Sequence, residues 1–275
     1  MAAIAMTREM GTLGKDVAQG IADSLNLKVI HHEVVEHDIA ERLGVQESAV
    51  HRYLEGEASI LERWKIDKEK LSRYTAQEIL EFAQQGNVVI RGWGATALLR
   101  DVPSVLRVRV CAPMAFRERV MMERLGLNEA SVARREIERS DAAHTNIMQG
   151  VFGIDWKDPL LYHIVLNTGS VPVETCVRTL RLLTDDPAFR ETEATRSALG
   201  DKLLEWRIRA ALGDRGGGGL SVYGIEATAT NGKVVLTGSC SDPLSKEKAE
   251  RNVRAVAGVK EVENRVFVVR AGGWS

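Results

Sequence analysis

At 275 residues the chain exceeds the about 100–200 residues of a usual single domain, and a 44% apolar fraction is ample for more than one core. Its 37 Lys and Arg against 38 Asp and Glu leave a net charge of −1, which excludes the broad basic footprint of a nucleic-acid binder while leaving local basic clusters free to meet phosphates. Cys111, Cys176 and Cys240 stand singly, and there is neither a secretion-type start nor a run of about 18 apolar residues, so reduced thiols and a cytoplasmic location are expected.

Strands are predicted at 3–6, 28–30, 87–91, 105–111 and 164–167, alternating with helical periodicity, which gives an α/β layer with a largely parallel sheet. The first strand runs into a glycine-punctuated turn, Gly11, Thr12, Leu13, Gly14, Lys15 and Asp16, and then into the amphipathic stretch 17–25. A strand, a glycine turn and a helix with a lysine in its first turn can hold phosphate, because backbone N–H groups and the helix N-terminus point at the anion and Lys15 adds a full charge. The pattern GxxxxGK[ST] is incomplete: Glu9 stands where the first glycine belongs, and Asp16 follows the lysine where a hydroxyl residue belongs. From this segment alone, an ordinary strand-to-helix turn with a surface lysine carries equal weight.

Between the second and third strands, residues 34–85 are charged and helically spaced, with Ile60, Leu61 and Trp64 and then Ile79, Leu80 and Phe82 on apolar faces. This excursion is expected to cap the carboxyl edge of the sheet, where ligands of open parallel sheets bind. At its start lie His31, His32, Glu33, Glu36, His37 and Asp38. The i,i+4 pairs Glu33/His37 and His32/Glu36 could chelate a divalent metal, but no second ligand group is in register, so the preferred reading is a polar helix start lining the substrate side and no metal site is assigned.

After Leu183 the stretch 184–196 is polar and contains Pro187, as a linker or a helix break would. The unit beyond it reads as a helix carrying Leu199, Leu203, Leu204, Ile208 and Leu212, the glycine tract 216–219, and a strand at 222–230. An Asn231-Gly232 hairpin, a strand at 233–237, a helix at 244–256 and a last strand at 259–269 complete the order α-β-β-α-β. It has no histidine and its cysteine, Cys240, has no neighbouring base, so it is read as a binding module.

Four segments carry a resemblance: TREMGTLGKDVA, VVIRGWGATALLRDVP, LRVRVCAPMAFRERV and DWKDPLLYHIVLNT. In this order they resemble the cytidylate kinase-like branch of the phosphate-loop nucleoside monophosphate kinases over residues 1–185. The last is the most specific, with Asp155, Trp156, Asp158, Pro159, Tyr162, Leu166, Asn167 and Thr168 in the family's spacing. Residues 196–271 resemble a BON domain, through Gly232, Val235, Leu236, Gly238, Gly258, Val259, Val262 and Asn264. The implied architecture is a three-layer parallel-sheet nucleotide kinase-like α/β domain followed by a small α+β (αββαβ) BON-like domain.

The kinase resemblance implies phosphoryl transfer from ATP, with Mg2+, to a nucleoside monophosphate, CMP first among acceptors. Gly11 to Asp16 would then bind the donor phosphates, with Lys15 as the main contact. Arg117 and Arg119 would act catalytically from a mobile lid, while Arg124, Arg134 and Arg135 read as a solvated helix face. The substrate side would be formed by His31, His32, Arg91, Trp93, Arg100 and Asp155. Departures from the family pattern are Glu9 and Asp16, a histidine at 31 or 32 in place of an aspartate, and Trp93 and His144 in place of arginines. Trp156 is open to stacking, to closing a lid or to anchoring a loop. The BON resemblance implies a small ligand, an ion, a phospholipid or another protein as partner; self-association into a homo-oligomer is left open. The alternatives to an active kinase are a non-catalytic nucleotide sensor and a BON-mediated recruitment protein.

Overall fold

The computed structural model describes residues 3–54, 68–92, 94–213 and 225–269, without the side chains of residues 32–36, 53 and 54. Ile60, Leu61, Trp64, Trp93, the glycine tract 216–219 and the start of the strand expected at 222 lie outside the described residues, and so do the side chains of His32, Glu33 and Glu36. The chain divides into two units, Met1–Thr192 and Glu193–Ser275.

In the first unit, apolar runs too short to be helices become five strands: β1 (Ala3–Arg8), β2 (Lys28–Ile30), β3 (Val88–Arg91), β4 (Leu106–Cys111) and β5 (Ile164–Asn167). They pair in the order β2-β3-β1-β4-β5, every pair parallel, so β1 is central and its residues Ile4, Ala5 and Met6 are fully buried. The connections supply helices α1 (Gly14–Leu25), α2 (His32–Leu43), α3 (Glu47–Leu54), α4 (Lys68–Gln85), α5 (Ala95–Leu98), α6 (Met114–Leu125), α7 (Ala130–Phe152) and α8 (Val173–Asp185).

Helix α1 turns Val17, Ala18, Ile21 and Ala22 onto one face, and these pack with Cys176 and Leu180 of α8 against Met6, Val89, Val108 and Val110 of the sheet. Helices α4 and α5 contact β3 and β1, and α4 contacts α7. The result is a three-layer α/β sandwich. Because the strands are parallel, every β-to-α connection opens at one edge, and the turn after β1 lies there beside the ends of β3 and β4.

The stretch read as a linker or a helix break holds a helix break. It contains the end of α8, a 3-10 turn (Pro187–Phe189) whose N–H at Ala188 is capped by Asp186, and the start of α9 (Glu193–Gly213). Phe189 packs on the apolar cluster of the first unit, which explains why a polar segment does not simply hang between the units.

The second unit is built from α9, the antiparallel hairpin β6 (Glu226–Thr230) and β7 (Lys233–Thr237), β8 (Ser239–Cys240), α10 (Pro243–Arg254), β9 (Glu261–Asn264) and β10 (Phe267–Val268). Asn231 and Gly232 both have positive φ, 53° and 83°, which is what a two-residue hairpin turn requires. Helix α9 secures that turn: Asp201 accepts from the N–H groups of Asn231 (2.9 Å) and Gly232 (3.3 Å), and Ser197 donates to Asn231 at 2.6 Å.

The single last strand expected at 259–269 is two strands. β9 pairs in parallel with β7 and β10 with β8, and both partners break at the same level, at Gly238 (φ 108°) and at Arg265-Val266. A kink in one strand of a parallel ladder must be matched in the other for both to keep their hydrogen bonds, and Arg265 and Phe267 indeed donate to the Leu236 and Gly238 carbonyls at 2.9 Å. Helix α10 starts at Pro243 because Asp242 caps it, accepting from the Ser245 N–H at 2.8 Å and from its hydroxyl at 2.7 Å.

The apolar cluster around α1, α8 and the five-stranded sheet draws on the first unit, and the cluster of Leu204, Ile208, Val234, Leu236, Ala249 and Val253 draws on the second. Each unit therefore carries its own core, and a fragment of residues 1–192 is expected to fold alone with a cooperative thermal transition. A fragment of residues 193–275 is expected to show mixed α/β circular dichroism and a broader, weaker transition, since a domain of that size buries limited apolar surface. Loss of the cooperative transition in the first fragment would show that the division is wrong.

Candidate phosphate-binding site

The turn after β1 is fixed from below on almost every residue. Its chain continues the β1–β4 pairing one step, with the Glu9 N–H donating to the Val110 carbonyl at 3.1 Å. The Thr12 hydroxyl donates back to the Glu9 carbonyl at 2.8 Å, and the Thr168 hydroxyl, at the end of β5, donates to the Thr12 carbonyl. Gly11 has φ +77°, and a Cβ there would stand 2.7 Å from the Arg117 carbonyl oxygen, so only glycine lets the turn lie against the first turn of α6. Leu13 takes the left-handed conformation (φ 55°) without being glycine, and as the N-cap of α1 it accepts from the N–H groups of Asp16 and Val17 at 3.0 Å.

With the carbonyls so engaged, the N–H groups of Thr12, Leu13, Gly14 and Lys15 donate to no backbone carbonyl among the described residues. Four consecutive donors at a helix N-terminus form an anion cradle. Lys15 is exposed at its rim and its ammonium has no ion pair among the described residues. Beside Leu13 opens a cavity of about 500 Å³, walled by Phe116, Arg119, Val120, Glu123 and Arg124 of α6.

Behind the turn lies a set of buried charges. Glu9, Arg109 and Arg117 are 8%, 9% and 4% exposed. Arg109 donates to Glu9 at 2.6 Å and to the Lys157 carbonyl at 2.7 Å. Arg117 clamps Asp141 of α7 with both terminal nitrogens (2.9 and 2.7 Å), and its Nε donates to the Met10 carbonyl at 2.7 Å. Its Nη1 is also 3.6 Å from Glu9.

The structure therefore differs from the expectation that Arg117 is a mobile lid cation. It is an internal brace, because Asp141, 24 residues away on another helix, supplies the carboxylate that makes its burial tolerable. Arg119 remains exposed on the cavity face of α6, with its guanidinium 5.6 Å over the Phe116 ring. Arg124, read as a solvated face, reaches the turn and pairs with Asp16 at 2.7 Å. Arg134 is half-exposed and bonds Glu118 at 2.5 Å.

Of the residues expected on a substrate side, His31 and Arg91 are brought together. Met6 of β1 is paired with Arg91 at the end of β3, and Arg91 Nη2 lies 3.0 Å from Nδ1 of His31, the N-cap of α2. The contact requires Nδ1 to be the unprotonated, accepting nitrogen. Arg100 is not part of this group. It is exposed next to Asp101, and its carbonyl is bonded by Arg107 at the amino end of β4, the opposite edge of the sheet from the turn. Asp155 is exposed and accepts from the Lys157 N–H at 2.9 Å, so its carboxylate shapes its own loop. His37, considered as a chelating partner of Glu33, bonds Glu47 at 3.1 Å, which raises its pKa. Among the described residues no group of three or more histidine, cysteine, aspartate or glutamate side chains could hold a metal ion.

Trp156 is an anchor: it is 1% exposed, its indole N–H donates to the Thr145 hydroxyl at 2.9 Å, and Arg109 lies 5.3 Å over its ring. Tyr162 donates to the Trp156 carbonyl at 2.5 Å, and burial, ahead of any charge, pushes its pKa up to about 12. His144 packs edge-on to Trp156 with centroids 4.3 Å apart, and Nε2 lies 3.5 Å from the Thr7 hydroxyl. Although the residue keeps some surface, its ring is enclosed, and desolvation lowers its pKa to about 4, with Arg8 and Arg109 adding to the fall against the opposing effect of Asp141. His144 is thus neutral near pH 7 and adds no cation to the site.

Sequence reasoning treated Glu9 only as a lost glycine and overlooked Arg109 and Asp141. The available signal was Arg109 itself. An arginine among the buried positions of an interior strand, as Arg109 is in β4, demands a buried carboxylate, and the nearest candidate is Glu9, the acidic residue that follows β1.

A five-stranded parallel sheet with a glycine turn at the carboxyl end of its central strand is the frame of a nucleotide or small-molecule kinase-like domain. Residues 3–170 match the model of the cytidylate kinase-like family, and the chain belongs to that family; residues 200–270 match the BON domain. It is similar to the cytidylate kinase of Methanocaldococcus jannaschii (26% identity over 166 residues, 60% of this chain and 86% of that protein). It is also similar to that of Pyrobaculum arsenaticum (25% over 179 residues, 65% and 90%). Among solved structures, an uncharacterized protein from Eubacterium ventriosum shares the fold at a TM-score of 0.52 and 18% identity, over 68% of this chain and 99% of that one. No helix among the described residues is long and apolar enough to cross a membrane.

The depressed pKa of His144 makes stability depend on pH. The unfolded chain takes up the proton near the ordinary histidine value of 6.5 and the folded chain only near 4, so stability is full above about pH 6.5 and is lost as pH falls toward 4. The loss should reach on the order of 2–3 kcal/mol at pH 4. His144→Phe should flatten that part of the urea-midpoint profile between pH 7 and 4.5 relative to the parent; superimposable profiles would contradict the assignment.

Proposed function

We propose that the first unit is a cytoplasmic nucleoside monophosphate kinase that transfers the terminal phosphoryl group of ATP to a CMP-like acceptor. The observation that supports this most directly is the row of four N–H donors from Thr12 to Lys15 at the mouth of α1, with the Lys15 ammonium beside it. In this reading the donor β- and γ-phosphates lie in that cradle and Lys15 neutralises them, as a point charge at a turn does. The cavity beside Leu13 has room for the nucleoside end of the donor, with the exposed Arg119 at its wall. His31 and Arg91, one strand away at the same edge, face the acceptor, with Arg91 meeting its phosphate.

Magnesium, when bound with the nucleotide, supplies charge neutralisation of the transferring phosphates. Of the oxygen donors at the turn, the hydroxyls of Thr12 and, from the end of β5, Thr168 donate to carbonyls, whereas the carboxylate of Asp16, which meets Arg124 through one oxygen, is a hard ligand of the right kind, so Asp16 is the residue that would hold it.

One observation favours the second reading, a nucleotide sensor without turnover. Arg117 is already clamped by Asp141 and His144 is neutral, so two groups that could have met transition-state charge do not. In either reading the BON domain is the regulatory or ligand-binding partner, for a small ligand, an ion or a phospholipid.

A coupled assay over a panel of monophosphates, with ATP binding measured in parallel, separates the two. The kinase reading expects turnover with CMP foremost. Lys15→Ala is expected to weaken ATP binding by about 1.5–3 kcal/mol, the range for a charge-assisted contact. Arg119→Ala is expected to lower turnover more than ATP affinity. ATP binding without turnover on any acceptor favours the sensor, and unchanged ATP affinity in folded Lys15→Ala contradicts the cradle.

A further inference from the structure

We infer that Glu9 is the positioning residue of the phosphate turn: held between Arg109 and Arg117, its buried carboxylate sets the backbone of residues 11–15 in the geometry that takes a polyphosphate. The inference rests on the reading of the turn as the donor-phosphate site.

Glu9 stands where the phosphate-loop pattern has glycine, and a carboxylate there places a negative charge under a site meant for anions. It is tolerated because Arg109 and Arg117 enclose it. With Asp141 clamped to Arg117, the four side chains sum to no net charge, so the cradle above them is left to its N–H groups and Lys15.

What the group supplies is geometry. Glu9 is held by its N–H (to Val110), its carbonyl (from Thr12) and its side chain (from Arg109), and the next carbonyl, that of Met10, is held by Arg117 Nε. Arg109 in turn ties this point to the Lys157 carbonyl, in the loop anchored by Trp156. Buried ion pairs contribute little net stability compared with apolar packing, but they fix register, because any shift strands a charge. Here the register fixed is that of the turn against β4, α6 and α7.

The test uses the full chain with two probes, ATP and inorganic tripolyphosphate, and calorimetric affinities alongside thermal midpoints. Glu9→Gln keeps the shape but sets an amide N–H2 against a guanidinium. It is expected to weaken both probes at least tenfold while CMP affinity stays within twofold of the parent. Arg109→Lys, which keeps the charge but loses the fork, is expected to give a smaller loss of the same kind, and it serves as the readout if Glu9→Gln does not fold. Glu118→Gln, which breaks the pair between Glu118 of α6 and Arg134 of α7, is the stability control and should lower the midpoint without changing either affinity. Polyphosphate affinity within twofold of the parent in folded Glu9→Gln or Arg109→Lys overturns the inference, as does an equal loss in Glu118→Gln. Tripolyphosphate binding that follows the expected pattern in a chain without ATP binding supports the role of Glu9 and removes the kinase reading instead.

Discussion

Everything proposed for the first unit depends on one constraint: a backbone turn that leaves its N–H groups unpaired must be held by its carbonyls and side chains instead. A chain in that state is unfavourable on its own, since Leu13 occupies a left-handed conformation and several donors have no backbone partner among the described residues. The surroundings hold it there. Thr168 from β5, Arg117 from α6 and Val110 from β4 each take one backbone group of the turn, so three separate elements must be in place before the site exists. An anion that accepts from the free N–H groups completes the hydrogen bonding that the fold leaves open.

The buried charges are the means by which this is done without the first glycine of the usual phosphate-loop pattern. An ion network in the interior is costly unless every charge has a partner, and here the two guanidinium groups and two carboxylates meet that condition through 2.6–2.9 Å contacts. The same burial explains the neutral His144 and the raised Tyr162, which pack around Trp156 on the far side of Arg109. One region thus sets both the shape of the turn and the charge that the site does not carry.

Much of the fold was legible in the sequence because it rests on periodicity. Short apolar runs gave the five strands, and Val17, Ala18, Ile21 and Ala22 gave the buried face of α1. The glycine turn after β1 and the lysine in the first turn of α1 were legible because glycine and lysine spacing is local. What was not legible depends on partners distant along the chain. Nothing near Arg117 announces Asp141, and nothing near Arg100 tells which sheet edge the chain has reached by the time β4 begins. The break in the last strand of the second unit was hidden for the same reason, because β9 and β10 are continuous in apolar pattern and their kink answers Gly238 in a strand 27 residues earlier, counted from Arg265.

The central claim is that the unpaired N–H groups of the β1–α1 turn receive the donor's phosphates. Amide hydrogen exchange of the full chain with and without ATP reads those groups directly. The account predicts that ATP slows exchange of the amides from Thr12 to Lys15 more than those of any other segment, and that CMP alone leaves them unchanged. Protection centred elsewhere, or none at the turn under saturating ATP, would contradict it.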